Sequence, residues 1–137
     1  MKLVVDANIL FSFFQKKSFT RSFILNHPEI EYLTPTYVFD ELEKHEETIK
    51  KKAGIEDRTY RIIMDEIKEY FEVIGIESLE ENWEKAEETC PDPDDVHYFA
   101  CALAMDCSLW SNDGKLKEQD TVKVIDTEEL VDLFGED

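Results

Sequence analysis

Hydrophobic and polar residues follow two different periodicities along this chain. Short runs of consecutive apolar residues, several of them β-branched, predict buried strands, and longer stretches with apolar residues every three or four positions predict helices. The predicted strands are residues 2–5, 31–33, 73–76, 107–111 and 122–125. Because helical stretches separate most of these strands, the pattern predicts an α/β fold with a mainly parallel sheet of four or five strands.

Local signals place the ends of the helices. Thr34-Pro35 and Asp92-Pro93 each combine a capping side chain with proline, which predicts a helix start. The helix from Thr34-Pro35 is predicted to run to Gly54, with one stripe made of Val38, Leu42, His45 and Ile49. A last helix is predicted to begin at Asp126, with Glu129 in the capping-box position. The other predicted helices are residues 8–14, 19–25, 57–71 and 79–89.

Length and composition predict one globular domain over residues 1–137. The chain has 137 residues, of which 42% are hydrophobic, enough to build a core. No stretch approaches the ~20 apolar residues of a membrane span, and Asp6 and Asn8 interrupt the apolar N-terminal run, unlike in a signal peptide. Three cysteines, at no zinc-ligand spacing, are typical of buried thiols in a reducing compartment, so we expect a cytoplasmic protein.

The net charge restricts the partners of the chain. It is −18, from 33 acidic and 15 basic residues. Such an acidic chain ordinarily repels polyanions, unless carboxylates are concentrated where they bind metal for nuclease chemistry. The acidic residues that do not bind metal are expected on solvated helix faces or on a surface that binds a basic protein.

Four acids lie where an α/β sheet carries its sites. Asp6 follows the first strand and Asp113 lies just past the fourth, while Glu41 and Asp95 lie near the starts of two helices. Ligands bind beyond the carboxyl ends of parallel strands. Converging carboxylates need partners, protons or a cation, and their oxygens suit Mg²⁺ or Mn²⁺ better than Zn²⁺. One or two such ions would support phosphodiester hydrolysis by an activated water.

Each of these acids also has a purely structural interpretation. Asp6 and Asp92 are at positions that cap helices, Asp95 is placed to cap reciprocally with Asp92, Asp113 precedes a turn glycine, and Glu41 alone resembles a solvated helix acid. Spacing by itself therefore supports only an acidic site suited to a metal.

Other chemistries fit the sequence less well. Zinc held by Glu41, His45 and His97 is disfavoured, because a histidine on an apolar helix stripe is more often packed. A phosphatase-type Asp-x-Asp-x-Thr loop is excluded, since Asn8 and Leu10 occupy its second and last positions. Five phenylalanines interleave with Lys16, Lys17 and Arg21 in an order that fits either an RNA-stacking surface or, as we favour, the core. They are Phe11, Phe13, Phe14, Phe19 and Phe23.

Four segments resemble, in order and spacing, the motifs of PIN-domain nucleases. They read LVVDANIL at 3–10, YVFDELEKH at 37–45, DPDDVHYFACAL at 92–103 and LWSNDGKL at 109–116. The resemblance covers residues 2–125 and implies a three-layer α/β/α sandwich with a Mg²⁺ or Mn²⁺ site. Asn8 and Ser111 match polar positions that support the acids or a substrate phosphate, and Asp92 is expected to assist through water. The implied catalytic metal ligands are Asp6, Glu41, Asp95 and Asp113.

The resemblance implies a metal-dependent endoribonuclease that hydrolyses single-stranded RNA without a protein nucleophile. Small single-domain members are commonly toxins of toxin–antitoxin pairs, so a small basic antitoxin is an expected partner, and a homodimer is a second assembly to test. A non-catalytic PIN-like module that binds RNA or protein stays open as an alternative, as does a flap-type DNA nuclease, which the size disfavours. The basic residues expected to meet the substrate are Lys16, Lys17, Arg21 and Lys115.

Overall fold

The computed structural model describes residues 1–135, and its centre is a five-stranded sheet in which every neighbouring pair of strands is parallel. The strands are β1 (Lys2–Val5), β2 (Glu31–Pro35), β3 (Phe71–Ile74), β4 (Ser108–Trp110) and β5 (Val124–Ile125). Their order across the sheet is β3-β2-β1-β4-β5. The predicted α/β fold is confirmed, and the sheet is wholly parallel.

Eight α-helices within residues 1–135 connect and cover the strands. They are α1 (Ala7–Phe13), α2 (Phe19–Asn26), α3 (Tyr37–Lys44), α4 (Glu46–Ala53), α5 (Asp57–Tyr70), α6 (Glu80–Thr89), α7 (Val96–Met105) and α8 (Thr127–Phe134). Leu3, Val4 and Val5 have no exposed surface, so both faces of β1 are covered, as in the predicted three-layer sandwich. None of these helices combines the length and the apolarity that crossing a bilayer requires.

The predicted helix start at Thr34-Pro35 is wrong. Both residues end β2, where the Thr34 hydroxyl donates to the Val5 carbonyl and Pro35 lies opposite Ile74. Proline is tolerated here because it is the last residue of the strand. The helix begins instead at Tyr37.

The helix predicted to run to Gly54 is also divided in two. His45, with φ −106° and ψ 13°, separates α3 from α4. The apolar stripe nevertheless continues across this break, because Val38, Leu42 and Ile49 are all buried. The hydrophobic pattern therefore does not reveal that the helix is interrupted.

The third strand lies two residues earlier than the predicted 73–76. Helix α5 ends at Tyr70, and Phe71 is already extended and pairs with Tyr32. Ile76 lies instead in a short 3₁₀ turn and is 57% exposed. A shift of two residues keeps every side chain on its face of the sheet, so the hydrophobic pattern could not detect it.

Two other local predictions have clear outcomes. The capping box of α8 is confirmed, since the Asp126 carboxylate accepts the Glu129 N–H and the Glu129 carboxylate accepts the Asp126 N–H. All three cysteines are free thiols, but only Cys101 is fully buried, whereas Cys90 and Cys107 are partly exposed.

The path of the chain reverses across the sheet at β1. From β1 the chain adds β2 and β3 on one side, and later adds β4 and β5 on the other. The crevice between the carboxyl ends of β1 and β4 is therefore the topological switch point, where open α/β sheets bind ligands. Asp6 and Ser111 follow these two strand ends directly.

Candidate active site

Asp6 lies at the switch point and caps α1. Its Oδ1 atom accepts the Ile9 N–H at 2.9 Å, and the residue is only 2% exposed. Burial raises the pKa of this carboxyl to about 6, and the charges of Glu41 and Asp113 act in the same direction, against the hydrogen bonds from Ser111 and Ile9. Asp6 therefore caps α1, as its structural interpretation expected, and its carboxylate also interacts with the other acids.

Ser111 joins the ends of the first and fourth strands. It is 1% exposed, and its side chain hydrogen-bonds the Asp6 carboxylate while its Oγ accepts the Asp113 N–H at 3.2 Å. Asp113 in turn accepts the Lys115 N–H at 3.0 Å, so the turn role expected for it is also present. The Ser111 hydroxyl therefore contacts both the Asp6 carboxylate and the main chain of Asp113.

Asp92 and Asp95 approach from the start of α7. The carboxylate oxygens of Asp92, Asp95 and Asp113 all lie within 4.8 Å of one another. Asp92 accepts the Asp94 N–H at 3.0 Å, whereas the Asp95 side chain makes no capping bond, contrary to the reciprocal-cap interpretation. Burial raises the pKa of Asp95 to about 7, and the next contributions come from the charges of Asp6, Asp92, Asp113 and Glu41.

Glu41 faces this group from the middle of α3. Its Oε1 atom accepts the Tyr98 hydroxyl at 2.5 Å. Burial raises the pKa of Glu41, while the Tyr98 hydrogen bond and the nearby His45 and Lys44 oppose the rise. The site thus combines acids from four separate segments of the chain.

Sequence reasoning missed Tyr98. This residue is 1% exposed and lies three positions after Asp95 on α7. A buried tyrosine hydroxyl needs a partner, and that requirement is the signal that points to a nearby acid. It could not identify Glu41, which is 57 residues away along the chain.

The acids lack a neutralising cation from the chain itself. Within residues 1–135, no lysine or arginine forms an ion pair with Asp6, Glu41, Asp92, Asp95 or Asp113. Closely spaced carboxylates with no internal counter-charge are a donor set that a hard divalent cation prefers. The residues therefore fit a hard divalent cation.

The predicted supporting basic residues differ in their surroundings. Lys16, Lys17 and Lys115 are exposed. The Arg21 guanidinium instead donates to the main-chain carbonyls of Phe13 and Lys16, so it holds the turn between α1 and α2. Asn8 is exposed on α1, two residues after Asp6.

The aromatic and histidine residues also separate into packed and exposed groups. Phe13, Phe14 and Phe23 are buried in the core as favoured, while Phe11 is partly buried and Phe19 is 41% exposed. His45 packs edge-on against Phe11 and His97 stacks on Tyr37. Among the described residues, the group within 4.8 Å consists of Asp92, Asp95 and Asp113, so it includes neither histidine, and Asp6 and Glu41 also lie outside it.

A model of the PIN-domain family matches residues 4–131. The chain belongs to the PIN-domain family. PIN domains are nucleases, and the acid group of this PIN domain lies within the matched range. The sequence matches none of the curated proteins.

Among solved structures, this PIN domain is similar to VapBC2 from Rickettsia felis bound to a DNA fragment from their promoter. The TM-score is 0.71 at 14% sequence identity, and the match covers 92% of this chain and 98% of that chain. At this level of identity the likeness shows the fold alone.

Proposed function

We propose that this PIN domain is a Mg²⁺- or Mn²⁺-dependent endoribonuclease that hydrolyses single-stranded RNA. One observation carries the proposal: Asp6, Glu41, Asp95 and Asp113 interact electrostatically at the switch point, and no cation from residues 1–135 pairs with them. Acids that lie together, one buried and the others partly buried, destabilise the fold when charged, and a bound metal ion would offset that repulsion.

Asp6, Glu41, Asp95 and Asp113 would hold the ion or ions, and Asp92, whose carboxylate lies within 4.8 Å of those of Asp95 and Asp113, would assist. A divalent ion held by these residues would supply an activated water and offset the charge that develops on the phosphate. Ser111 and Tyr98 orient the carboxylates of Asp6 and Glu41 through the hydrogen bonds described above.

The nucleophile in this mechanism is water, because the nearby side chains are poor nucleophiles. The Ser111 hydroxyl is buried and occupied by Asp6 and by the Asp113 N–H. Burial raises the pKa of the Cys90 thiol to about 11, so the reactive thiolate is scarce at neutral pH. Hydrolysis therefore proceeds without a covalent intermediate on the protein.

The experiment is a cleavage assay on metal-stripped protein, with Mn²⁺, Mg²⁺ or EDTA, across defined single-stranded RNA, duplex RNA and single-stranded DNA. The proposal predicts cleavage of single-stranded RNA that requires the metal. Binding without cleavage would instead identify a non-catalytic module, and preferential cleavage of DNA would identify a DNA nuclease. RNA cleavage that persists in EDTA would rule out the metal mechanism.

We further propose a small basic antitoxin as partner. The net charge of −18 complements such a protein, and the structural neighbour VapBC2 is a toxin–antitoxin complex. Expression of the wild-type chain in bacteria is expected to arrest growth, and expression of Asp95→Asn is not. Equal growth under both conditions would contradict the toxin assignment. A homodimer stays a prediction.

A further inference from the structure

Helices α1 and α4 form a groove of about 400 Å³ beside the acids. It is lined on one side by Asn8 and Phe11 of α1 and by Gln15 just after that helix, and on the other by His45, between α3 and α4, and Lys52 of α4. Asn8 and Phe11 are three positions apart on α1, so they lie on one face of that helix. The groove therefore lies between this face of α1 and the residues from His45 to Lys52.

One end of the groove adjoins the proposed metal ligands. Asn8 lies two residues after Asp6, and His45 lies one helical turn after Glu41. A strand of nucleic acid whose phosphate lies at the acids would therefore extend along this groove with its neighbouring nucleotide.

The walls of the groove offer an aromatic surface and hydrogen-bonding groups together. The Phe11 ring is partly buried, and the His45 ring meets it edge-on with 5.5 Å between the ring centroids. The side-chain amides of Asn8 and Gln15 belong to exposed residues that line the same space. A ring that stacks a base, next to amides that bind its edge, is how proteins hold unpaired nucleotides.

The far end of the groove carries an available positive charge. The ammonium of Lys50 is held by Glu46, Glu47 and Asp57. Lys52 lines the groove, is exposed, and makes no ion pair with the residues that the structure describes. In a chain of charge −18, this lysine favours a phosphate at that end.

We propose that this groove is a subsite for an unpaired nucleotide adjacent to the scissile phosphate. The inference rests on the proposed ribonuclease function and adds the residues that hold the substrate strand. Phe11 and His45 stack the base, Asn8 and Gln15 bind its edge, and Lys52 contacts the next phosphate. The mixed polar lining favours a nucleotide over the apolar face of a peptide helix.

The binding test uses short single-stranded RNAs carrying 2-aminopurine at successive positions, with the Asp95→Asn chain and Mn²⁺ so that the RNA stays intact. Stacking quenches the fluorescence of this base. Quenching is expected at one position of the RNA, and Phe11→Leu should remove most of it. Tyr70→Leu is the matched aromatic control, because Tyr70 is exposed and precedes β3, at the opposite end of the sheet from the acids.

The cleavage test compares KM and kcat for Phe11→Leu and Lys52→Gln in the otherwise wild-type chain. Base–aromatic stacking predicts that Phe11→Leu raises KM by about fivefold or more with little change in kcat. Lys52→Gln should raise KM and reduce its salt dependence, whereas the exposed lysine variant Lys123→Gln, located before β5, should do neither. Lys52 is exposed, so its variant tests the subsite even if Phe11→Leu folds poorly.

The outcomes separate this inference from the proposed function. RNA cleavage with an unchanged KM and unchanged quenching in both groove variants would overturn the subsite alone and leave the groove to a protein partner. Position-specific quenching that Phe11→Leu removes, without cleavage by the wild type, would keep the groove as an RNA site and overturn the nuclease. Neither quenching nor cleavage would overturn both.

Discussion

Two groups of carboxylates in this molecule are in opposite electrostatic states. Around Lys50, the carboxylates of Glu46, Glu47 and Asp57 lie 3.0, 2.9 and 2.5 Å from the ammonium nitrogen. Those contacts lower the pKa of Asp57 and raise the pKa of Lys50. At the switch point the pKa of Asp6 rises to about 6 instead, with no such contact. Each carboxylate of the first group contacts a cation of the chain, and among residues 1–135 no acid of the second group does.

The cost of leaving a carboxylate without a cation depends on how deeply it is buried. The Asp57 side chain is 69% exposed, so solvent screens its charge and the ion pair adds little stability. Asp6 is 2% exposed, where an uncompensated charge is costly. The comparison teaches that an external cation is needed at the switch-point acids, whose charges no residue of the described chain offsets.

The largest expected effect is on catalysis. Asp6→Asn, Glu41→Gln, Asp95→Asn and Asp113→Asn should each reduce cleavage of single-stranded RNA by orders of magnitude, because the acids act as one ligand set. Double variants should lose little more than single variants. Asp57→Asn, from the group of acids around Lys50, should retain wild-type activity in the same assay with Mn²⁺. Comparable losses in Asp57→Asn and Asp95→Asn would remove the distinction between the two groups.

The second prediction concerns stability, pH and metal. In EDTA, the unfolding free energy should fall as the pH rises from about 4 to 7, because Asp6 and Asp95, with pKa values of about 6 and about 7 against 3.8 unfolded, hold protons that the unfolded chain has released. Mn²⁺ should restore about 2.7 kcal/mol at a hundredfold excess over Kd. Thermal melts across pH measure both effects.

The matched variants sharpen this test. Asp95→Asn should stabilise the metal-free protein above pH 7 and lose most of the gain from Mn²⁺, whereas Asp57→Asn should keep that gain. A full metal shift in Asp95→Asn would exclude Asp95 as a ligand.

The third prediction isolates the Tyr98 hydrogen bond. Tyr98→Phe removes the hydroxyl that holds Glu41, and the loss of such a support for a metal ligand typically costs about 10- to 100-fold in metal affinity or activity. Tyr60→Phe is the matched control, because the buried Tyr60 hydroxyl donates only to the Leu42 carbonyl. Metal titration and cleavage rates should both change in Tyr98→Phe alone. Equal effects in the two variants would mean that the Tyr98 hydroxyl contributes to packing alone and not to metal binding.

The smallest effect is expected from charge at the substrate entrance. Replacing the exposed Lys16 and Lys17 by glutamate should raise KM and flatten its dependence on salt, because fewer phosphate contacts release counterions. If the salt dependence of KM is unaltered, the substrate instead enters past the basic residues Lys50–Lys52, Arg58 and Arg61.

The sequence predicted the sheet well because its strands are buried on both faces. Val4 and Leu109 pair across the centre of the sheet with no exposed surface, and such positions admit only apolar residues. Prediction failed where a residue fits two structures. Pro35 suits both a helix start and a strand end, and the contact that decides between them is the distant pairing with Ile74.

The sequence pointed to the acids of the candidate site and to Ser111 as a support, and it did not point to Tyr98. Asp6 and Asp113 were found because strand ends define the edge of the sheet. Asp92 was expected beside the third motif, but its carboxylate lies within the convergent group. Its distance to Asp113, like the contact of Tyr98 with Glu41, depends on how α7 packs, and no local pattern encodes that packing.

The most direct test is a calorimetric titration of metal-free protein with Mn²⁺ near pH 6, in two buffers of different ionisation enthalpy. The wild type should bind the ion and release protons, because Asp95, with its pKa of about 7, must lose its proton to become a ligand. Asp57→Asn should behave identically, and Asp95→Asn should bind far more weakly with less proton release. Equal affinity in wild type and Asp95→Asn would contradict the assignment of the switch-point acids as a metal site.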